Sequence, residues 1–578
     1  MKSNKKLIRS AFVSMMIVNM FVVMAGSICS FMDNIVIGRI LGTDALAAAG
    51  YFSPVATSIG LYGTIVLGVQ ILVGNFIGSG KREKLNTLFF SAFTVLGVVF
   101  GLVAVLCTLF RESLATMLGA KGVVHEMLCG YILGFMPGVP VQALCAMLMA
   151  LVSFNNDMRR SYISAGIMAA GNAAGDLLLA GMGMFGIGLA STISSVLALA
   201  VLLPGYVRKD KALSLIPARP DLRLTGQAVI LGLSSVSFTI GLVIKNTLIN
   251  YTLSASVGAH GVAIANVLVS VCGILGIVSG GIGSAHLSLS GLYFGEEDRS
   301  SFVELFKFAL RTGEICFIII VALVAVCSGP LATVFFSPGT PEWEMARQMF
   351  RLGFWFFPVN MFLYCMLNAV HAQGRTRLVT FISFFETAMT GVMVFLTVPQ
   401  FGLSAAWLAN TWADLISVGI VLVLIWGSRK KIDFHPATLM NLPDSFGASP
   451  EECREYSLEN MKDVVAVSES ITEFCKERKT DLRCALTAGL CVEEMAREIM
   501  EYGFRPGKAS YVNVRVVVRD ELTVRIRDNC PEFDPRKRLE VFYPESPEKN
   551  VGIRLTAGLA RQMDYYNNAG INTLVLKM

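Results

Sequence analysis

The chain has 578 residues, a mean hydropathy of +0.61 and 16% charged residues, against about 25% in typical soluble domains. This composition excludes an ordinary soluble enzyme. The charges are also unevenly distributed, because residues 1–450 carry 48 of the 90 charged side chains and residues 451–578 carry the other 42. The sequence therefore predicts a membrane body followed by a soluble C-terminal domain.

Twelve apolar stretches between residues 11 and 427 approach or exceed the roughly 20 residues that an α-helix needs to cross a bilayer. Backbone polar groups must be paired internally in lipid, and these stretches lack the period-two alternation of barrel strands. The apolar run from Ala11 is too long for a signal peptide and lacks a small-residue cleavage site, so we expect it to remain as the first helix. These features predict an all-α polytopic membrane body with 12 transmembrane helices.

The basic residues indicate how this body is oriented. Lysines and arginines precede the first helix and follow the second, fourth, sixth, tenth and twelfth, whereas the intervening connections contain few. The positive-inside rule then predicts cytoplasmic termini and a body in the lipid bilayer of the plasma (inner) membrane. Residues 1–450 alone carry 28 basic and 20 acidic side chains, which explains the net charge of +6 without a nucleic-acid partner.

Local similarities recur at nearly one offset along the body. GKREKLNTLFF, NDMRRSYIS and FGIGLAS are similar to GEEDRSSFVELF, QGRTRLVTFIS and FGLSAAW, which follow them by 215, 217 and 216 residues. This repeat predicts two six-helix lobes of the same orientation, an N-lobe over residues 1–215 and a C-lobe over residues 216–432. Such repeats commonly bind a substrate between lobes that rock against each other. A duplicated scaffold without a transport role is the alternative.

Several motifs along residues 8–430 resemble one transporter family. They are DNIVIGRILGTDALAAAG (33–50), the GSGKRE turn, FNNDMRR (154–160), NAAGD (172–176), GIGLAST and AQGRTR. Together they resemble the multidrug and toxic compound extrusion (MATE) transporters. The resemblance implies a twelve-helix, V-shaped antiporter that exports small amphipathic, often cationic compounds in exchange for H⁺ or Na⁺.

A carboxylate interrupts the first apolar stretch, because Asp33 of SFMDNIVIGRI lies at membrane depth. An ionisable group there is costly and is a functional hypothesis by default. Asn172 and Asp176 are four residues apart and so share one face of helix 5. The resemblance places an ion-coupling and substrate site on Asp33, Asn172, Asp176 and Thr192. The alternatives are that Asp33 only meets water or caps a bend, and that Asp176 only joins two helices by a hydrogen bond.

The second lobe carries ionisable residues at other places, among them Lys245 in helix 7, Glu386 in helix 11 and Asp414 in helix 12. The resemblance adds Glu386 to the ion-coupling or substrate site. An ion pair of Lys245 with Glu386 or Asp414 that serves packing alone is the alternative.

The C-terminal part begins with a linker over residues 433–450, which is rich in proline and polar residues. Helical patterns follow at about 458–478 and 481–502, then the strand-like YVNVRVVVRD and ELTVRIRDN, a helix from about 551 and a final strand INTLVLKM. Two helices on a small antiparallel sheet predict a soluble α+β sandwich over residues 451–578.

Three segments of this domain, EEMARE (493–498), RDNCPEFDP (527–535) and NVGIRLTAGLARQMDYY (550–566), resemble the ATP-binding fold of histidine kinases and anti-sigma-factor kinases. The resemblance implies adenine recognition by Asp528, a general base at Glu494, phosphate contact near Gly552 and Mg²⁺ at Glu498. It also predicts that residues 550–566 form a glycine lid followed by a helix. Glu498 stands where that family has asparagine, however, and Cys530 replaces a glycine. We therefore expect ATP binding without turnover, or a degenerate domain kept for contact with a cytoplasmic regulatory protein.

These observations together predict a secondary active exporter with a cytoplasmic nucleotide-binding or regulatory domain, and no enzymatic activity. Two alternatives stay open. One is a flippase for lipid-linked substrates, and the other is a membrane-anchored signalling protein with a serine-kinase-like tail. The sequence contains no GxxxxGK[ST] phosphate loop, so nothing favours direct driving of transport by ATP hydrolysis.

Overall fold

The computed structural model describes residues 2–207, 211–256, 259–430, 432–505, 509–539 and 550–578. The N-lobe helices are α1 (Lys2–Val36), α2 (Thr43–Ile59), α3 (Tyr62–Gly78), α4 (Arg82–Leu109), α5 (Arg111–Met117), α6 (Gly122–Phe135), α7 (Val139–Leu151), α8 (Met158–Leu179), α9 (Met184–Leu202) and α10 (Pro204–Val207). The C-lobe helices are α11 (Leu222–Ser256), α12 (Ala259–Gly295), α13 (Arg299–Val326), α14 (Ser328–Phe335), α15 (Pro341–Leu352), α16 (Phe356–Ala372), α17 (Thr376–Phe401) and α18 (Leu403–Arg429).

The prediction of twelve spans is confirmed. Eleven helical segments among the described residues are long and apolar enough to cross a membrane, and α15 with α16 forms a twelfth span that bends by 40°. Pro137 and Pro140 lack the amide hydrogen that a continuous helix requires, and the fourth span is accordingly divided into α6 and α7 by the 3₁₀ turn Met136–Gly138.

Two pairs of corresponding helices have equal lengths in the two lobes. The first helix of each lobe, α1 or α11, has 35 residues, and α4 and α13 have 28 residues each. Each of the latter is followed by a short helix, α5 or α14. This agreement is what a duplicated six-span unit predicts.

The lobes contact each other along α3 and α12. Gly74 and Gly78 of α3 lie against Gly291 and Gly295 of α12, and a Cβ on Gly78 or Gly295 would overlap the backbone of the facing helix. Such four-residue spacing of small residues lets membrane helices approach to backbone contact. The lobes are therefore closed against each other at this end of the body.

The C-terminal domain is an antiparallel five-stranded sheet with order β1–β2–β3–β5–β4. Helices α20, α21 and α23 cover one face of it through a core that includes Ile471, Val492, Val514 and Ile526. The elements are α19 (Pro436–Leu439), β1 (Cys453–Leu458), α20 (Met461–Glu477), α21 (Leu482–Gly503), β2 (Val512–Val518), β3 (Leu522–Asp528), α22 (Pro535–Leu539), α23 (Val551–Leu559), β4 (Gln562–Asn568) and β5 (Ile571–Lys577).

The α+β prediction is confirmed, but two strands were not predicted and one predicted helix is shorter. The helix after the lid ends at Leu559, and residues 562–568 form β4 instead of its continuation. The reason is the two-residue turn at Ala569 and Gly570, whose positive φ values of 53° and 79° are those of a tight hairpin turn that pairs β4 with β5. The other unpredicted strand is β1, at the edge of the sheet.

The segment 433–450 contacts the membrane body along its length. It contains α19, and Met440 and Leu442 are fully buried in the core of the body. The side chains of Gln373 and Arg375 donate hydrogen bonds to the carbonyl oxygens of Met440 and Asn441, at 2.7 and 3.1 Å. Composition predicts this segment to be a linker, but its apolar residues attach it to the membrane body.

Candidate functional site

The N-lobe cluster consists of Asp33, Asn172 and Asp176. Asp33 lies in the last turn of α1, and the other two lie one turn apart on α8. The amide of Asn172 donates to Asp33 and, at 3.3 Å, to Asp176. The two carboxyl groups are also within hydrogen-bonding distance of each other.

This geometry restricts the charge that the N-lobe cluster can hold. Asn172 and Asp176 are buried, and Oδ1 of Asp176 has no hydrogen-bond partner among the described residues. Among the described residues, no basic side chain contacts either carboxylate. Two carboxylates so close together in a low-dielectric site repel each other unless a proton or a cation lies between them. The cluster is therefore suited to bind and release a small cation.

Thr192, the fourth residue predicted for this site, lies on α9 with its hydroxyl directed elsewhere. It donates to the carbonyl oxygen of Gly134 at 2.7 Å, where α6 ends. Gly138 leaves the space that the Thr192 side chain fills. The structure thus brings together three of the four residues and uses Thr192 to join two helices.

A second group of polar residues lies inside the C-lobe, and we call it the C-lobe cluster. The amide of Asn360 donates to Glu386 at 2.6 Å, and the ammonium of Lys245 donates to Asn410 at 2.8 Å. The carboxyl groups of Glu386 and Asp414 are within hydrogen-bonding distance of each other. The C-lobe cluster is Lys245, Asn360, Glu386, Asn410 and Asp414.

Asn360 and Asn410 were missed by the sequence analysis. The signal for Asn410 is its spacing, because NTWAD (410–414) repeats the Asn-x-x-x-Asp pattern of NAAGD (172–176). Lys245 does not form a direct ion pair with a carboxylate among the described residues. Its ammonium group donates to the amide oxygen of Asn410 instead.

The C-terminal domain contains a cavity of about 360 Å³ between α21 and the sheet. Asp528 lies at its base, 4% exposed, and its Oδ1 accepts hydrogen bonds from the backbone N–H of Cys530 at 2.9 Å and from Asn572 at 2.7 Å. Burial raises the pKa of Asp528 to about 6. Apolar side chains of Met495, Ile499 and Leu574 line the same cavity. This end can hold a flat, hydrogen-bonding base such as adenine.

The charged part of the cavity lining fits phosphates poorly. Glu498 lines the cavity, and burial together with the nearby Glu501 and Glu494 raises the pKa of Glu498. Arg538 is the one basic residue among the described lining residues. The described residues also contain no group of three or more His, Cys, Asp or Glu side chains that could hold a metal ion. The cavity is suited to a base more than to a magnesium–triphosphate group.

Glu494 and Gly552 lie beside the cavity rather than in its described lining. Gly552 packs against the Glu494 side chain so closely that a Cβ there would overlap the carboxylate. Glu494 also pairs with Arg497 at 3.5 Å. The predicted general base and the predicted phosphate contact therefore touch each other, and neither is among the residues that line the cavity at Asp528.

The uncovered face of the sheet docks on the C-lobe through arginines. Arg515 of β2 and Arg525 of β3 are directly opposite each other, and Arg527 lies two residues further along β3. These side chains contact Glu296 and Asp298, which follow α12 and are fully buried. Although burial alone would raise it, Arg525 and Arg527 hold the pKa of Glu296 below its ordinary value.

The same domain also contacts the N-lobe. The backbone N–H of Ala569, in the β4–β5 turn, donates to the carbonyl oxygen of Ser153 at 3.1 Å. Glu532 pairs with Lys211 at 3.5 Å. The domain therefore bridges the two lobes, at the end where α3 and α12 are in backbone contact.

A body of twelve spans in two matched lobes, with paired carboxylates buried inside it, is the architecture of a multi-pass membrane transporter. The MatE family model matches residues 19–178 and 235–397, which is more than half of the chain, and the chain belongs to this family. A second model, the histidine kinase-like ATPase domain, matches residues 458–578. Both predicted resemblances are confirmed. No curated protein matches the chain.

Solved structures show the same fold for the body. A MATE transporter in complex with MaD3S has a TM-score of 0.67 and 19% identity, over 75% of this chain and 97% of that one. An outward-facing multidrug resistance MATE family transporter has a TM-score of 0.66 and 17% identity, over 76% and 97%. A mutant of the Vibrio cholerae MATE transporter VcmN has a TM-score of 0.68 and 17% identity, over 75% and 100%. At these identities the similarity establishes the fold alone.

Proposed function

We propose that the protein is an antiporter of the plasma membrane that exports small amphipathic, cationic compounds in exchange for H⁺ or Na⁺. The observation that carries this proposal is the N-lobe cluster, in which two carboxyl groups share a buried site without a basic partner among the described residues. A cation bound there neutralises the cluster, and its release leaves a negative charge in a low-dielectric site. Because the ion has different affinities for the two orientations of the lobes, its gradient can drive the change between them.

Asp33→Asn tests this proposal in proteoliposomes that carry a fluorescent cationic dye. We expect wild-type protein to move the dye under an imposed pH or sodium gradient, and Asp33→Asn to lose that response, since an amide neither binds a proton nor attracts a cation. Asp44→Asn is the matched control, because Asp44 is an exposed carboxylate at the start of α2. Gradient-driven efflux by the Asp33→Asn protein at the wild-type rate would remove Asp33 from the coupling site.

We also propose that the C-terminal domain is cytoplasmic and regulates transport by holding the lobes together. Its support is the pair of contacts described above, to Glu296 and Asp298 in one lobe and to Ser153 and Lys211 in the other. Lobes that rock must separate at the bridged end during each cycle, so a bridge there opposes the motion.

The cavity at Asp528 offers a way to control this bridge. Glu532 both lines the cavity and pairs with Lys211 of the N-lobe, so a ligand bound there adjoins one of the bridging contacts. We propose an adenine nucleotide as the ligand, with Asp528 accepting a hydrogen bond from the base. We assign no phosphoryl transfer, because Glu498 lines the cavity with Glu494 and Glu501 nearby, and this concentration of negative charge repels phosphates.

A further inference from the structure

The C-lobe cluster has the composition of the N-lobe cluster with two additions, a second asparagine and a lysine. Each contains two carboxyl groups within hydrogen-bonding distance and an amide that donates to one of them. Each also contains an asparagine one helical turn before an aspartate, in NAAGD (172–176) and NTWAD (410–414). The addition that changes the charge is Lys245, for which the N-lobe cluster has no basic counterpart among the described residues.

Lys245 occupies the helix that corresponds to the helix of Asp33. It lies on α11, the first helix of the C-lobe, as Asp33 lies on α1. The sequence repeat of 215 to 217 residues relates Lys245 to residues 28–30, about one helical turn before Asp33. The helix pair α11 and α17 in the C-lobe thus repeats the pair α1 and α8, with an ammonium group in place of a neutral side chain.

The position of the ammonium group makes it the counter-ion of the carboxyl pair. It donates to Asn410, one turn from Asp414 on α18, and it interacts electrostatically with both Glu386 and Asp414. Among the described residues, the other titratable groups that act on the C-lobe cluster are Cys272 of α12 and Tyr364 of α16, both neutral in their ordinary states at pH 7.

Charge balance then limits what the C-lobe cluster can bind. Two carboxylates with one shared proton carry one negative charge, and Lys245 neutralises it. A sodium ion added to this state would leave a net positive charge in a low-dielectric site, which is strongly unfavourable. Loss of the proton leaves one negative charge. A proton restores neutrality by forming a covalent O–H bond, whereas a sodium ion would have to share the carboxylate oxygens with an ammonium group that repels it.

We propose that Lys245 is a tethered cation that takes, in the C-lobe, the place that an exchanged ion takes in the N-lobe. Glu386 and Asp414 accordingly bind one exchangeable proton and exclude sodium. This inference rests on the proposed function of the N-lobe cluster, with which it is compared. It makes the two lobes unequal, because only the N-lobe can use either ion.

Removing the ammonium group tests the proposal by binding alone, without transport. The purified full-length protein carries Asp33→Asn, so that the N-lobe contributes no sodium response, and its unfolding midpoint is measured in sodium chloride and in choline chloride. We expect no difference for this protein and a sodium-dependent rise of at least about 2 °C when Lys245→Met is added. Adding Asp414→Asn to the protein that carries Asp33→Asn and Lys245→Met should abolish the rise. Lys307→Met, at an exposed lysine of α13, is the matched control.

The proposal is overturned if the Asp33→Asn, Lys245→Met protein does not respond to sodium. It is overturned equally if Asp33→Asn protein with Lys245 intact gains stability in sodium and Asp414→Asn removes that gain. Should Lys245→Met fail to fold, infrared difference spectra of Asp33→Asn protein test the shared proton directly. A protonated carboxyl band at pH 7 that Asp414→Asn removes supports the proposal, and its absence contradicts it. Failure of wild-type efflux would instead contradict the proposed function.

Discussion

Replacing Arg527 with methionine tests whether the C-terminal domain restrains the two lobes. Arg527 pairs with Glu296 and, at 3.0 Å, with Asp298, and it donates to Ser301 at 3.2 Å. Methionine keeps much of the apolar contact of the side chain with Tyr293 and removes the charge. Each buried carboxylate then has one partner fewer while the domain is docked, whereas water solvates both once the domain has left.

The size of the effect follows from that difference. Removing one partner of a buried ion pair typically costs about 3–5 kcal/mol, because the remaining charge stays buried. The cost falls on the docked state alone, so the docking equilibrium should shift toward release by between about 100-fold and about 4,000-fold, at 1.4 kcal/mol per factor of ten. Arg483→Met, an exposed arginine on the opposite side of the domain, should leave docking unchanged.

Docking and transport are measured separately. Cysteines introduced by Ser153→Cys and Ala569→Cys, whose backbones share a hydrogen bond, should form a disulfide that reports the docked state, with the parent protein under the same oxidant as reference. We expect Arg527→Met to lower the disulfide yield and to raise the rate of dye efflux. Adding Glu296→Gln should restore part of both, since it removes the charge of one of the two carboxylates that lost a partner. Efflux at the wild-type rate, in protein whose disulfide yield has fallen, would refute the idea that the bridge opposes rocking.

Two further predictions concern the cavity and the contact between the lobes. Because burial raises the pKa of Asp528 to about 6, its carboxylate loses charge as the pH falls through that value, and calorimetry should find weaker ATP binding to the full-length protein at pH 5 than at pH 7.5. Weak, pH-independent binding is expected for Asp528→Asn, and equal wild-type affinities at the two pH values would contradict the assignment. Gly78→Val should lower the unfolding midpoint and slow efflux, because its side chain overlaps the backbone of α12, whereas Gly97→Val, with open space around it, should do neither.

The parts of this molecule that the sequence predicts are those that the bilayer dictates. A span needs an apolar run of fixed length, and a carboxylate such as Asp33 stands out because the solvent there penalises charge. Asn172 and Asp176 could be assigned to one helix face from their spacing alone. The placement of Thr192 could not, because a hydroxyl can satisfy itself on a neighbouring backbone carbonyl, and which helix supplies that carbonyl depends on packing.

The docking of the soluble domain shows what local patterns leave open. Alternation in RVVVR and VRIR predicts that Arg515, Arg525 and Arg527 share one polar face of the sheet. Whether such a face meets water or protein depends on residues far away in the chain, here Glu296 and Asp298. β4 was missed for a related reason, since QMDYYNN lacks a clear alternation and is fixed by pairing with β5 across the Ala569–Gly570 turn.

The internal repeat explains why the domain docks where it does. The turn after the second span has two versions, GKRE (80–83) in the N-lobe and GEED (295–298) in the C-lobe, and they differ in charge. Arginines directly opposite each other, as Arg515 and Arg525 are, destabilise a sheet unless acids compensate them, so only the C-lobe version can accept this face.

The two sides of the bridge are consequently unequal. The C-lobe side contains buried ion pairs, whereas the described residues of the N-lobe form no buried ion pair with the domain. The N-lobe side includes hydrogen bonds of Ser153, Ser3 and Asn4, a cation–π contact of Lys6 with Tyr511 and a partly exposed ion pair of Lys211 with Glu532. Exposed pairs contribute little, about 0–1 kcal/mol, and buried pairs resist breaking much more strongly. When the lobes separate, the domain should therefore stay on the C-lobe and release the N-lobe first. The cavity adjoins this weaker contact through Glu532. A ligand bound there therefore acts on the contact that costs the least free energy to break when the lobes separate.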